Sequence, residues 1–510
     1  MLLYPVSAVP LHPTVKNDFT SMKSDSLLKS IFTNKTYRNY LWITLIGSII
    51  QLTLFKHFYP FPDFISDSYN YIETAQKGLT VNLWPIGYAR FLAFMHWIFP
   101  SHQLLVVAQH FILVAGLLYF FYTVCYLFTL PKAAIVLLYI FLFFNPIFLY
   151  LSNCVLSDAI FTAISIVLFA QYLWMLRQAK NRHLIIQAVL IGVAFTIRYT
   201  AIYYPIVSIA AILFARLKWT NRLAGIIAPW LLILPFIVYT QQETKKQTGV
   251  AEFSVFGGWQ IACNALYMYQ HITVDSNMLP PETRLLDKYT QYYFKHIHEK
   301  NPPFEAIQGT YFIKVPNAIL KPYLFDNGLR QPNGSGFQFW GSVSPVYKTY
   351  GNWLIRHYPL AFVQYYIWLN TRNYFIPYPE KFEIYNIGST EVWDGAREWF
   401  RLPSNKISLI PSIHFQGYLF YIAPWCFFLL NIYFLTQFAF FLFSKPFKNN
   451  HRFLNISILL ATFFLLVNFA FSVFATPVVL RYQVIPMIIM VAFAMLLTHY
   501  SNNQIERSPQ

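Results

Sequence analysis

Ten apolar runs, spread over most of the chain, constrain its fold more than any other feature. They fall near 40–57, 103–128, 133–151, 157–176, 184–198, 201–215, 223–240, 413–443, 453–475 and 479–499. A helix needs roughly 18 to 20 mostly apolar residues to cross a bilayer, and several of these runs approach or exceed that length. The reading is an all-α polytopic membrane protein with about 10 transmembrane helices. The runs at 40–57, 184–198 and 201–215 are short, and 413–443 is long enough to hold an interfacial turn at Pro424. Only 11% of the 510 residues are charged, against about 25% in a typical soluble domain.

The formal charge of +17 does not indicate a nucleic-acid partner, because the basic residues sit in short connections between apolar runs rather than in a tract interleaved with aromatics. Cytoplasmic loops of membrane proteins carry that bias. With a cytoplasmic N-terminus, the inner segments hold Lys16, Lys23, Lys29, Lys35 and Arg38, then Lys132, then Arg177, Lys180 and Arg182. Arg216, Lys218 and Arg222 follow, and Lys445, Lys448 and Arg452 close the set. The short outer segments hold only Lys56, Lys77, Arg90, Arg198 and Arg481. The expectation is a multi-pass protein of the cell inner or plasma membrane. The opening "MLLYPVSAVPLHP" lacks the basic region of a signal peptide, so the first apolar run reads as a retained anchor. Cys125, Cys154, Cys263 and Cys426 are scattered and suggest neither a zinc site nor a disulfide framework.

The organisation that follows is a cytoplasmic tail (1–39), a transmembrane core of about seven spans (40–240) and an outer domain (241–412). About three C-terminal spans (413–499) and a short cytoplasmic tail (500–510) complete it. The first outer loop, 58–102, holds a helix-compatible stretch after Asp67 and the amphipathic "YARFLAFMHWIF". The outer domain reads as small and mixed, with "PLAFVQYYIWLNTRNYF" as an amphipathic helix at the interface. Its Gly257–Gly258 pair reads as a tight turn, and "NGS" at 333–335 is a formal sequon.

Acids are sparse. Of 20 Asp and Glu, 13 lie in 241–412 and three in the tails, leaving Asp63, Asp67, Glu73 and Asp158 for the apolar body. All four fall on the expected outer side. An ionisable group at membrane depth is costly and is a functional candidate by default. Asp67 and Asp158 each precede or open a helix, so a capping role is the plain alternative. Asp63 and Glu73 read first as solvated loop acids. Asp67, Tyr71 and Ala75 share one helical face. Arg198 in "AFTIRYTAIYYP" and Arg481 in "TPVVLRYQVIP" lie at the same expected depth. Each can snorkel to the interface, yet together with the acids they suit a lipid-linked anionic group.

In order along the chain, "PDFISDSYNYIETA", "NLWPIGYARFLAF", "NPIFLYLSNCVLSDAIF", "IRYTAIYYP" and "RYQVIP" resemble elements of the GT-C superfamily of polytopic glycosyltransferases. The nearer likeness is to the bacterial branch with protein O-mannosyltransferases and the lipid A aminoarabinose transferase. It covers 40–240 and the last two spans; 241–412 matches poorly. The resemblance implies an inverting transfer of a sugar from a polyprenyl-phosphate donor to a hydroxyl acceptor (protein, lipid or glycan) on the periplasmic or outer face. It implies Asp67 as base. Arg198 and Arg481 are the candidates for binding the donor phosphate, since Arg suits bidentate phosphate contact. Asp158 is a second catalytic candidate, to orient the acceptor, position an arginine or help hold a divalent ion. Asp63, Tyr71 and Glu73 are accessory candidates. Relatives carry an Asp-Glu pair where this chain has Asp67-Ser68, so the base stays open between Asp67 and Asp63. Members differ on metal use; no ligand set in this sequence decides it, and a divalent cation beside Asp158 stays open. Trp84, Tyr88, Trp259 and Trp340 are candidate sugar-stacking residues. The reading from another class is a secondary transporter or lipid flippase, which inverted repeats would favour; none is visible.

Overall fold

The computed structural model describes residues 27–296, 309–329, 335–443 and 452–505. Residues 1–26, Asn333 of the sequon and the basic loop with Lys445 and Lys448 lie outside them. Among the described residues the chain is all-helical, with three isolated backbone bridges in place of any sheet. Eight helices among the described residues are long and apolar enough to cross a membrane. Two shorter apolar segments, Asn181–Ile197 and Tyr199–Phe214, stand at two of the three short runs; the third, 40–57, belongs to the 24-residue helix Lys35–Phe58.

Local chemistry sets the boundaries. Asn34 caps Lys35–Phe58, its side chain accepting from the Thr36 and Tyr37 amides at 2.8 and 3.2 Å. Ser101 caps His102–Leu127 in the same way. The third run is broken into Lys132–Phe144 and Ile147–Asn153 at Asn145–Pro146. Proline cannot donate to the ladder and disfavours helical backbone in the residue before it. The run at 413–443 divides into Phe415–Phe420 and Ala423–Phe443, so the break precedes Pro424, which sits in the first turn of the second piece.

Exposed Trp42, Ile46, Ile50 and Leu54 recur every four residues along Lys35–Phe58 and form one apolar stripe. Such a stripe fits lipid rather than water. In the interior, Gln109 donates to the Ser152 and Cys154 carbonyls at 2.8 and 3.0 Å and accepts from the Tyr88 hydroxyl at 2.6 Å. These buried polar bonds tie His102–Leu127 to the end of Ile147–Asn153.

A second hydrophobic cluster is built around Trp259, Tyr267, Leu286, Phe312, Tyr347 and Tyr350. At its centre, buried Asp287 accepts from Tyr269, Tyr350, Ser276 and Gln291. The expected turn at Gly257–Gly258 is instead part of the helix Val255–Leu266. Gly258 lets that helix lie against Gly336–His357, since a Cβ there would collide with the Ser344 carbonyl. "PLAFVQYYIWLNTRNYF" is helical with one π turn, Val363–Ile367. Its Asn370 holds the Val473 and Thr476 carbonyls and the Val478 amide.

Candidate functional site

Two single-bridge backbone pairings build the site. In the first, the Asp63 amide donates to the Asn153 carbonyl at 3.0 Å and the Val155 amide to the Asp63 carbonyl at 3.1 Å. This pins the loop before Ser66–Gln76 against the start of Asp158–Arg177, bringing Asp67 toward Asp158. In the second, the Leu480 amide donates to the Tyr378 carbonyl at 2.9 Å, laying the turn Glu380–Phe382 beside Arg481.

The sparse ions of the apolar body converge here. Arg198 Nη1 donates to Asp158 Oδ1 at 2.5 Å, and Arg481 Nη1 to Asp158 Oδ2 at 3.2 Å. Arg481 Nη2 lies 3.7 Å from Asp67 Oδ2, so one guanidinium spans both carboxylates. Arg481 also donates from Nη2 to the Tyr482 hydroxyl at 2.8 Å. Its guanidinium lies 4.6 Å from the Tyr482 ring centre, and that of Arg198 lies 5.1 Å from it. The aromatic face and the carboxylates hold both arginines in place.

Neither acid caps a helix. Ser66–Gln76 starts one residue before Asp67, and the Ile65 amide donates to the Ser68 hydroxyl instead. Asp158 is the first residue of its helix and sends both oxygens to arginines.

Three residues from 241–412 complete the cluster and were not singled out from sequence. Lys381 Nζ donates to Asp67 Oδ2 at 2.5 Å. Glu380 Oε2 lies 3.7 Å from Arg481 Nε, and its other oxygen pairs with Lys314. Glu380 has a positive φ of 50°, a conformation that costs about 1–2 kcal/mol for a residue with a Cβ. Such strain persists only where the surroundings impose it. Counting only the groups joined by ion pairs, Asp67, Asp158 and Glu380 face Arg198, Arg481, Lys381 and Lys314, one more cation than anion.

Electrostatics follow from that crowd. Burial raises the Asp67 carboxyl, but Lys381 and Arg481 outweigh it and hold the group below the usual carboxylate range. Glu380 is lowered likewise, with Lys314, Lys381 and Arg481 overcoming burial. Burial and the charge of Arg481 push Lys381 below an ordinary lysine, against the pull of Asp67 and Glu380.

The accessory candidates divide. Tyr71 is buried beside the cluster, its hydroxyl 3.3 Å from that of Ser157. Asp63 is not a solvated loop acid: it is 3% exposed and, among the described residues, makes no ion pair with the cluster, although the Lys381 charge reaches it. Its Oδ1 accepts from the Asn386 amide at 2.9 Å, and Oδ2 lies 3.5 Å from the Gln416 amide nitrogen. That burial raises its pKa to about 6. Glu73 pairs with Lys77 at 2.6 Å along its own helix, away from the site. Of the aromatics considered for stacking, Trp259 and Tyr88 are buried, whereas half-buried Trp340 packs on Trp259 with ring centres 4.2 Å apart and half-buried Trp84 on Phe256.

Among the described residues no three His, Cys, Asp or Glu come together as a metal-ligand set. Asp158, the acid considered for a cation, has both oxygens on guanidinium groups. The donor set therefore does not fit a divalent ion. It can attract an anion, orient it through forked N–H donors and accept a proton at Asp67. No protein-family model, curated protein or solved structure matches this chain.

Proposed function

We propose that the protein is an integral-membrane inverting glycosyltransferase that moves a sugar from a polyprenyl-phosphate donor to a hydroxyl acceptor. The observation that carries this reading is one guanidinium, Arg481, spanning Asp67 and Asp158 beside Arg198, in a cluster with a cation in excess. In the proposed topology the two shorter apolar segments also cross the bilayer, making ten spans, and 241–412 forms an outer domain that contributes Lys314, Glu380 and Lys381 to the site. The resemblance of the ordered segments to GT-C enzymes supplies the reaction class.

In that reaction the acceptor hydroxyl gives its proton to the Asp67 carboxylate as its oxygen attacks the anomeric carbon. The bond from that carbon to the phosphate oxygen breaks, its electron pair leaves with the lipid phosphate, and the configuration inverts. The leaving phosphate needs no proton, so one carboxylate suffices. Arg481 and Arg198 stabilise the charge that builds on it. Asp158, with its oxygens on the two arginines, is a positioning residue for both.

Asp67→Asn keeps the side-chain shape and removes the base. The expected result is loss of transfer by at least about a hundredfold, at the lower end of what a positioned general base contributes. The comparison is mass spectrometry of surface glycans and lipid-linked sugars in a deletion strain complemented with wild type or variant. Wild-type glycans from the Asn variant would overturn the assignment.

A further inference from the structure

We propose that Lys381 is a charge switch: it holds Asp67 in the resting site and transfers to the anionic phosphate of an arriving lipid, releasing Asp67 to accept a proton. This rests on the glycosyl-transfer reading and adds to it the residue that couples donor binding to base activation.

Three observations carry it. Asp67 Oδ2 bears two cations, Lys381 at 2.5 Å and Arg481 at 3.7 Å, whereas the hydrogen bond to Oδ1 comes from the Ser66 hydroxyl at 3.4 Å. Lys381 occupies one lone pair of Oδ2, and its charge with that of Arg481 lowers the proton affinity of the whole carboxylate. Next, the three cations of the inner cluster are held unequally. Arg198 and Arg481 are each fixed by Asp158 and by the Tyr482 ring. Lys381 Nζ has one hydrogen-bond acceptor among the described residues, Asp67, and a flexible four-carbon stem. Lys381 is the least tethered of the three. Finally, the turn that carries it is anchored independently: Leu480 bonds to Tyr378 just before it, and the Gln416 side chain lies 3.5 Å from the Lys381 carbonyl. The backbone can stay while the ammonium group swings.

The groups facing Asp67 set the direction. Lys381 and Arg481 pair with it, Glu380 pairs with Lys314 and Arg481, and the buried Tyr71 phenol lies within reach of the charges of both Asp67 and Asp158. A phosphate monoanion placed against Arg481 takes up the excess positive charge and competes for Lys381. Lys381 stays protonated throughout; it changes partner and transfers no proton. The hydroxyl proton goes to Asp67.

A binding cycle tests this without knowledge of the sugar. The probe is a sugar-free long-chain polyprenyl monophosphate, titrated into the full chain in nanodiscs. Wild type, Asp67→Asn, Lys381→Met and the double variant are compared, each first confirmed as monodisperse. Lys381→Met should weaken binding about tenfold or more. Asp67→Asn should tighten it severalfold, because Lys381 no longer has to leave a carboxylate. In the Lys381→Met background, Asp67→Asn should bring no such gain. Equal tightening in both backgrounds would mean general electrostatics and would overturn the switch, as would an Asp67→Asn protein that binds no tighter than wild type. Should Lys381→Met fail to fold, Lys381→Gln takes its place. A wild-type protein that binds the lipid phosphate while failing this cycle loses only the switch; one that does not bind it loses the glycosyl-transfer reading as well.

Discussion

At the scale of single residues, Asp63 and Asp67 show how four positions of separation can divide structure from chemistry. Asp63 is buried under the Asn386 amide and Gln416, and its pKa is raised to about 6. A carboxyl raised on folding binds protons more tightly in the folded state, so its contribution is fully present below the unfolded value near 3.8 and is lost as pH rises through about 6. Wild type should therefore gain thermal stability relative to Asp63→Asn as pH falls from 7 toward 4. Melting temperatures of the two in one detergent, taken across that range, check the sign; a difference that does not change with pH would reject the assignment. Asp67, Asp158, Arg198 and Arg481 were legible in the sequence because a charge stands out in an apolar body. Glu380 and Lys381 were not, since 241–412 holds 13 of the 20 acids and a further pair there carries no contrast. The remaining signal was "PYPEKFEIY", where two prolines stiffen the chain just before the pair.

At the scale of elements, apolar run length placed most of the long helices within a few residues, because a membrane helix and its polar ends are set by the same boundary between oil and water. Trp219–Thr248 instead continues eight residues past its run at 223–240 into a polar stretch. The interruptions were less legible. Pro146 divides its run although both halves are apolar, and the site-building bridges at Asp63 and Tyr378 are backbone pairings with no side-chain signature. Gly258 is the clearest misreading: two adjacent glycines suggest a turn, yet the helix continues and the missing Cβ serves close packing. Gly258→Ala should therefore destabilise, since a methyl group would have to displace the Ser344 backbone. Overpacking of this kind costs about 1–3 kcal/mol, opposing the gain that alanine ordinarily brings to a helix. A lower melting temperature is the expected result; a stabilised Gly258→Ala protein would show that the two helices can separate freely.

At the scale of the whole molecule, the basic connections and the ion cluster fall at opposite ends of the helices that join them. Asp158–Arg177 runs from the cluster to Arg177, Lys180 and Arg182, and Asn181–Ile197 returns to Arg198. Tyr204–Phe214 then leads away to Arg216 and Lys218, from which Trp219–Thr248 sets out toward the second hydrophobic cluster. Positive charge in short loops stays on the cytoplasmic side, so the candidate site and the second cluster should face outward. Two exposed positions report the two ends: Trp219 beside the basic loop, 69% exposed, and Met278 beside the second cluster, 65% exposed. Cys125, Cys154 and Cys263 are buried, so replacing Cys426 leaves a quiet background. In intact cells a membrane-impermeant maleimide should label Met278→Cys and leave Trp219→Cys untouched until the membrane is permeabilised. The reverse pattern would put the cluster on the cytoplasmic side, where a lipid-linked donor facing outward could not reach it.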